Sequence, residues 1–305
     1  MKTHNKNETI QIIKIRTIDN IKDNIVFMCL LNDGRIAASL ENYTVAIFNK
    51  KIFTVFDYLT GHRDTVTSIF QLCNENLVTS SVDRDIKIWT LKGTKFHCVH
   101  TIANAHEQWI GKVIKLRGNR FASCSTDLKI KIWNAIEPYR MIKELVGHKG
   151  YVTCINEMKE KNFLISGSVD GELRFWNTKT LQCESLFKGV NCYTKENIIE
   201  IENNRVVIAE MTSLIVINAI KMIIERVVNF NMCENIICLN RVKRNYIVCE
   251  CKGGKILVID NHFNEVLNKK IHTKTISNLL VYNSSNTIIS GGFDNRINIF
   301  ELYIK

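Results

Sequence analysis

The sequence predicts an all-β protein, a seven-bladed β-propeller whose blades are four-stranded antiparallel sheets. Three observations lead there. Strand-like segments recur seven times at a nearly constant interval, each interval holds about four strand-length runs, and no stretch sustains helical spacing.

The recurring segments are TVAIFN (44–49), DIKIWT (85–90), KIKIWN (129–134), ELRFWN (172–177), SLIVIN (213–218), KILVID (255–260) and RINIFE (296–301). Their last residues are 41, 44, 43, 41, 42 and 41 positions apart, too regular for chance. The second interval shows the inner pattern: VTSIFQL (66–72), NLVTSS (76–81), DIKIWT and KFHCVHTI (95–102). Their β-branched and aromatic content and two-residue alternation suit half-buried strands. A four-stranded sheet of this kind cannot bury both faces alone, so the units stack, and this period with four strands per unit fits propeller blades.

Taken in order, the third strands end near 49, 90, 134, 177, 218, 260 and 301, and the chain stops soon after the last, with ELYIK. The seventh unit therefore lacks an outer strand. ETIQIIKIRTI (8–18) alternates like a strand ahead of the first full unit, and we expect it to supply that strand and close the ring. An open ring would leave two bare sheet edges.

Composition is that of a globular chain: 305 residues, 46% hydrophobic and 23% charged, with a formal net charge of +11. Pro138 is the one proline and no Ser/Gly/Pro-rich linker occurs, so one unit spanning 1–305 is the expectation. No apolar run reaches the roughly 18 residues of a membrane span. MKTHNKNETI lacks the apolar stretch of an export signal. With eleven scattered cysteines, an odd number, this predicts reduced thiols and a cytoplasmic location, the nucleus remaining open. The sequons at Asn7 and Asn42 then carry little meaning.

Several segments resemble the WD40-repeat family. GHRD (61–64) followed by TSSVDRDIKIWT (79–90) is similar to that family's Gly-His, Ser-x-Asp and Trp-Asp pattern. AHEQ (105–108) with SCSTDLKIKIWN (123–134), GHKG (147–150) with SGSVDGELRFWN (166–177), and His272 with SGGFDNRINIFE (290–301) repeat it. The separation from His to the aromatic is 27, 27, 28 and 28, and each Asp lies six before the aromatic. The resemblance implies a hydrogen-bonded set in each blade: His62, Thr79, Asp83 and Trp89; His106, Ser123, Asp127 and Trp133; His148, Ser166, Asp170 and Trp176; and His272, Ser290 and Asp294, with Phe300 in the aromatic place. A Ser/His/Asp grouping also suggests a hydrolytic triad. Copies in four blades argue for scaffolding, since an active site needs only one. Units one, five and six depart from the pattern: Asn42, Met211 and Gly253 stand where the Asp would, and none has a Gly-His.

Catalytic and metal signals are absent. There is no Gly-Lys-Ser/Thr loop and no Gly-x-Gly-x-x-Gly after a strand, so no cofactor and no enzymatic activity are expected. Cys249 and Cys251 fall on one face of a predicted strand and suit burial better than ligation; His97, Cys98 and His100 lack partners for a metal. No metal site is expected. The positive charge is diffuse, RVKR (241–244) being its densest stretch, which favours solvated loops over a nucleic-acid site.

In WD40 propellers the loops between blades share one face with those joining the second and third strands. The residue just before each innermost strand's first core position would line that rim: Asn24, Thr65, Trp109, Tyr151, Thr194, Met232 and Thr275. Phe293, Arg84 and Arg296 would join them. Trp109 and Tyr151, on adjacent units, have the character of protein-recognition anchors. The expected function is a non-catalytic scaffold or adaptor for protein or peptide partners, with no membrane role and no assigned oligomeric state. Two alternatives remain. One is RNA or phosphopeptide binding through a basic rim. The other is a ubiquitin-ligase substrate receptor, for which WTLK (89–92) and WNTK (176–179) only loosely resemble the Trp-Asp-x-Arg docking ending.

Overall fold

The computed structural model describes residues 10–19, 21–49, 52–158, 161–190, 192, 198–202, 204–230, 235–242, 246–282 and 286–304. Among them there is no helix, hence none long and apolar enough to cross a membrane. The strands form seven four-stranded antiparallel sheets arranged in a ring.

Blade one is β2 (Ile25–Leu30), β3 (Ile36–Leu40), β4 (Val45–Phe48) and β5 (Val55–Leu59), and blade two is β6 (Val66–Gln71), β7 (Leu77–Ser81), β8 (Ile86–Lys92) and β9 (Lys95–Ile102). Blade three is β10 (Ile110–Leu116), β11 (Arg120–Ser125), β12 (Ile130–Asn134) and β13 (Met141–Leu145). Blade four is β14 (Val152–Met158), β15 (Phe163–Ser168), β16 (Glu172–Asn177) and β17 (Cys183–Lys188). Blade five is β18 (Ile198–Ile201), β19 (Arg205–Glu210), β20 (Ser213–Asn218) and β21 (Ile223–Asn229). Blade six is β22 (Ile236–Arg241), β23 (Ile247–Cys251), β24 (Lys255–Ile259) and β25 (Glu265–Lys270). Blade seven joins β26 (Ile276–Tyr282), β27 (Thr287–Gly292) and β28 (Ile297–Ile304) to β1 (Ile10–Ile18).

The predicted closure is present. β1 lies antiparallel to β28, from Ile10 opposite Ile304 to Ile18 opposite Ile297, with a bulge between Lys14 and Arg16. Ile12 packs among the side chains between blades six and seven, and Ile18 among those between seven and one. The leading strand thus joins two inter-blade cores as well as one ladder.

Burial explains the strand sequences. Middle strands such as β3, β7 and β23 are buried at every position, because a neighbouring blade covers each face. Outer strands such as β9 and β21 are largely exposed. Apolar packing is divided among seven clusters, one at each junction between adjacent blades. Innermost strands also bond across junctions: Thr67 Oγ1 donates to the Ile110 carbonyl at 2.7 Å, and Thr153 Oγ1 to that of Cys192 at 2.6 Å. Stability is thereby spread around the circle, and each blade relies on both neighbours.

One expectation about cysteine fails. Cys251 is disulfide-bonded, whereas Cys73, Cys98, Cys154, Cys183 and Cys249 are free thiols. Cys249 and Cys251 do share a face, inside the junction between blades five and six.

Candidate functional site

Two kinds of constellation stand at one end of the ring. The first is the repeated hydrogen-bonded set. In blade two, the Trp89 indole N–H donates to Thr79 Oγ1 at 2.9 Å, and Thr79 Oγ1 lies 2.8 Å from His62 Nε2. His62 Nδ1 lies 2.9 Å from Asp83 Oδ2. An indole N–H can only donate, so the hydroxyl must pass its own hydrogen to Nε2, which leaves Nδ1–H for the carboxylate. A neutral imidazole satisfies this chain completely. Blade three repeats it with Trp133, Ser123, His106 and Asp127. Blade four does so with Trp176, Ser166, His148 and Asp170.

Blade seven keeps Ser290, His272 and Asp294 at 2.8 Å for each contact, with Phe300 in the indole's place. Asn298 Nδ2 approaches His272 Nε2 to 3.1 Å and donates to the Ile271 carbonyl. Blade one retains half of the device: Asn42 Oδ1 accepts from the Thr44 N–H, as Asp83 Oδ1 accepts from that of Asp85.

Electrostatics agrees with this hydrogen placement. Burial holds His106, His148 and His272 below the ordinary imidazole value, against the pull of their aspartates. For Asp83, Asp127, Asp170 and Asp294, burial opposes the charge. The histidine and backbone N–H bonds outweigh it and keep all four below the usual carboxylate range. Each aspartate also accepts from the N–H after its histidine: Arg63, Glu107, Lys149 or Thr273. The set therefore ties the loop entering a blade to the loop between its second and third strands. It is not aimed into a cleft.

His148, Asp170 and Glu172 bring potential metal-ligating atoms within 4.8 Å of one another. Those atoms are already engaged, since His148 bonds Asp170 and Glu172 pairs with Arg174 at 2.6 Å. His97 and Cys98 sit exposed on β9, and His100 packs against Tyr139. Among the described residues no ligand set forms there.

The second constellation is the rim. Trp109 and Tyr151 precede β10 and β14, on neighbouring blades, and are 58% and 55% exposed. No hydrogen bond or ring contact among the described residues engages either side chain. Their backbones, by contrast, are pinned: the Trp109 carbonyl accepts from the Thr126 N–H and that of Tyr151 from the Val169 N–H, both at 3.0 Å. The same bond holds Asn24 to Glu41, Thr65 to Val82 and Thr275 to Phe293. These bonds place the predicted rim residues of five blades at equivalent positions. Arg84 and Arg296 are exposed at the tips of the adjoining turns, and Phe293, Asn24, Thr65 and Thr275 are half-buried.

Met232 and Thr194 lie outside the described residues. In blade six the equivalent bond runs from the Lys252 N–H to the Asn235 carbonyl at 2.9 Å, which puts Asn235 at the bonded position. Without a Gly-His pair, the sequence offered no marker for that register.

Three segments, residues 51–90, 96–134 and 139–177, match the family model for the WD domain, G-beta repeat. The chain carries WD40 repeats. The matched segments end at blades two, three and four, where the Trp-terminated sets are complete, and the other four blades keep the four-stranded architecture with weaker signatures. The chain is 33% identical over 148 residues to nuclear distribution protein nudF 1 of Talaromyces marneffei, a match covering 45% of this chain and 30% of that protein. It is 30% identical over 117 residues to a ribosome biogenesis protein WDR12 homolog of Nematostella vectensis, covering 38% of this chain and 28% of that one. Each match therefore spans less than a third of the relative's length.

Proposed function

We propose that this WD40 propeller is a non-catalytic interaction scaffold that captures a protein or peptide partner on the rim around Trp109 and Tyr151. The observation supporting it most strongly is the pairing of two large, unengaged aromatic side chains with a backbone already fixed by hydrogen bonds. A partner burying them loses little freedom in the loops, so more of the contact energy appears as affinity. The resemblance to proteins named for nuclear distribution and ribosome biogenesis is consistent with service in a larger assembly, in the cytoplasm or the nucleus.

The rim's charges are interspersed rather than basic. Arg63 and Arg84 stand beside Asp64, Asp83 and Asp85, and Lys129 pairs with Glu107 at 3.0 Å. This favours a protein surface over a polyanion at this end.

The test is affinity capture with the tagged chain and its W109A/Y151A variant, both from the native cell. Removing anchors of this kind typically costs about 1–3 kcal/mol of binding. The variant is expected to keep its melting temperature and lose its captured protein. A folded variant that retains the same partner removes the proposal.

A further inference from the structure

Part of the net charge of +11 gathers at the end of the ring opposite the rim. There the loop after β6, the loop after β10 and the turn after β12 enclose two adjoining depressions of about 200 and 440 Å³. Both are lined by Cys73, Lys115, Leu116 and Asn119, so they form one groove across blades two to four. Arg120 and Ile136 line one part of it, Arg117 and Glu157 the other.

Three cations here are uncompensated. Lys115 and Arg117 are exposed, and no acid pairs with either side chain among the described residues. Arg120 is held in place by carbonyls alone, Nη1 donating to Thr178 at 2.7 Å and Nε to Arg117 at 3.3 Å. Glu157, the one carboxylate among the described lining residues, is buried and accepts the Arg117 backbone N–H at 3.0 Å. Between the cations the floor is aliphatic: Leu72, Leu116 and Ala135 are buried beneath it, and Ile136 stands 55% exposed at its edge.

We infer that this groove, on the face opposite the Trp109/Tyr151 rim, is a second docking site that takes an acidic peptide segment carrying an aliphatic side chain. Charge complementarity selects the acid, because three cations face one buried carboxylate. The aliphatic floor selects the side chain. Single-stranded RNA would satisfy the cations but find no aromatic platform on which to stack its bases. The site is separate from the rim, so the chain can bridge two partners at once, and the inference stands whether or not the rim reading holds.

The test uses fluorescein-labelled peptides of alternating glutamate and leucine, read by fluorescence anisotropy at about 0.1 M salt, where long-range attraction is largely screened. Saturable binding is expected, weakened about tenfold or more by K115E/R117E, since reversing two charges replaces attraction with repulsion. W109A/Y151A is expected to bind as the wild type does. A glutamate–glycine peptide is expected to bind several-fold more weakly, and the leucine peptide to slow alkylation of the Cys73 thiol. Equal melting temperatures show that K115E/R117E, at two exposed sites, remains folded. The inference is overturned by no saturation up to about 1 mM peptide, by binding indifferent to K115E/R117E, or by polyuridine RNA displacing the peptide.

Discussion

Glu250 makes a sharp test of the packing between blades. It is fully buried in β23, and neither carboxylate oxygen has a hydrogen-bond partner among the described residues. Its ladder neighbours are Cys238 and Ile256, both in the apolar cluster between blades six and seven. The equivalent ladder position in blade four is Gly167, where a Cβ would press on Cys154 and on Cys192 of the next blade. In blade seven it is Gly291, facing Met28 and Ile25. The site therefore points at the neighbouring blade, and burial pushes the Glu250 carboxyl well above its ordinary value. The folded chain keeps a proton that the unfolded chain releases, so this group's contribution to stability falls as pH rises above the ordinary carboxylate range. The slope is about 1.4 kcal/mol per pH unit while the proton is held. The unpartnered carboxyl itself costs a further amount of about 1–3 kcal/mol. E250M removes both terms with an apolar side chain of similar length, and E250Q removes only the titration. In urea unfolding followed from about pH 5 to 7, both variants are expected to gain on the wild type with rising pH, E250M being the more stable. A stability difference that stays constant with pH, or an E250M variant less stable than the wild type throughout, would refute the reasoning.

Deleting residues 1–18 removes β1, bares the β28 edge and withdraws Ile12 and Ile18 from two junctions. A fall in melting temperature of several degrees is expected, and an unchanged unfolding curve would contradict the closure. The buried sets make the protein acid-sensitive. Three histidines held below their ordinary value of 6.5 take up protons only on unfolding, so stability falls as pH drops below that value. The four aspartates, lowered from 3.8, add a second loss below that pH, and a flat melting profile from neutral into acid would contradict both assignments.

Much of this was legible in the sequence because the propeller writes its register into spacing. The ladder partners of Trp89, Trp133 and Trp176 fix where each third strand ends, and the sets need His, Asp and hydroxyl at set distances along the chain. ETIQIIKIRTI could be read as the closing strand because an edge strand must alternate. Elsewhere the signal was weak. Asn235 was not legible as the bonded residue of blade six because no His or Asp anchors that loop. The burial of Glu250 was hidden because CEC reads like any alternating strand, and only the ring decides which face meets a neighbour. The basic groove draws on three separate loops, and no linear window shows Lys115 and Ile136 on one surface with Cys73.

Hydrogen exchange of the chain alone and with its captured partner tests the rim most directly. New protection is expected in the loops 103–109 and 146–151, with the blade strands exchanging as before. Protection confined to outer strands such as β9 or β21, with those two loops unaltered, would contradict the proposal that this end of the ring binds the partner.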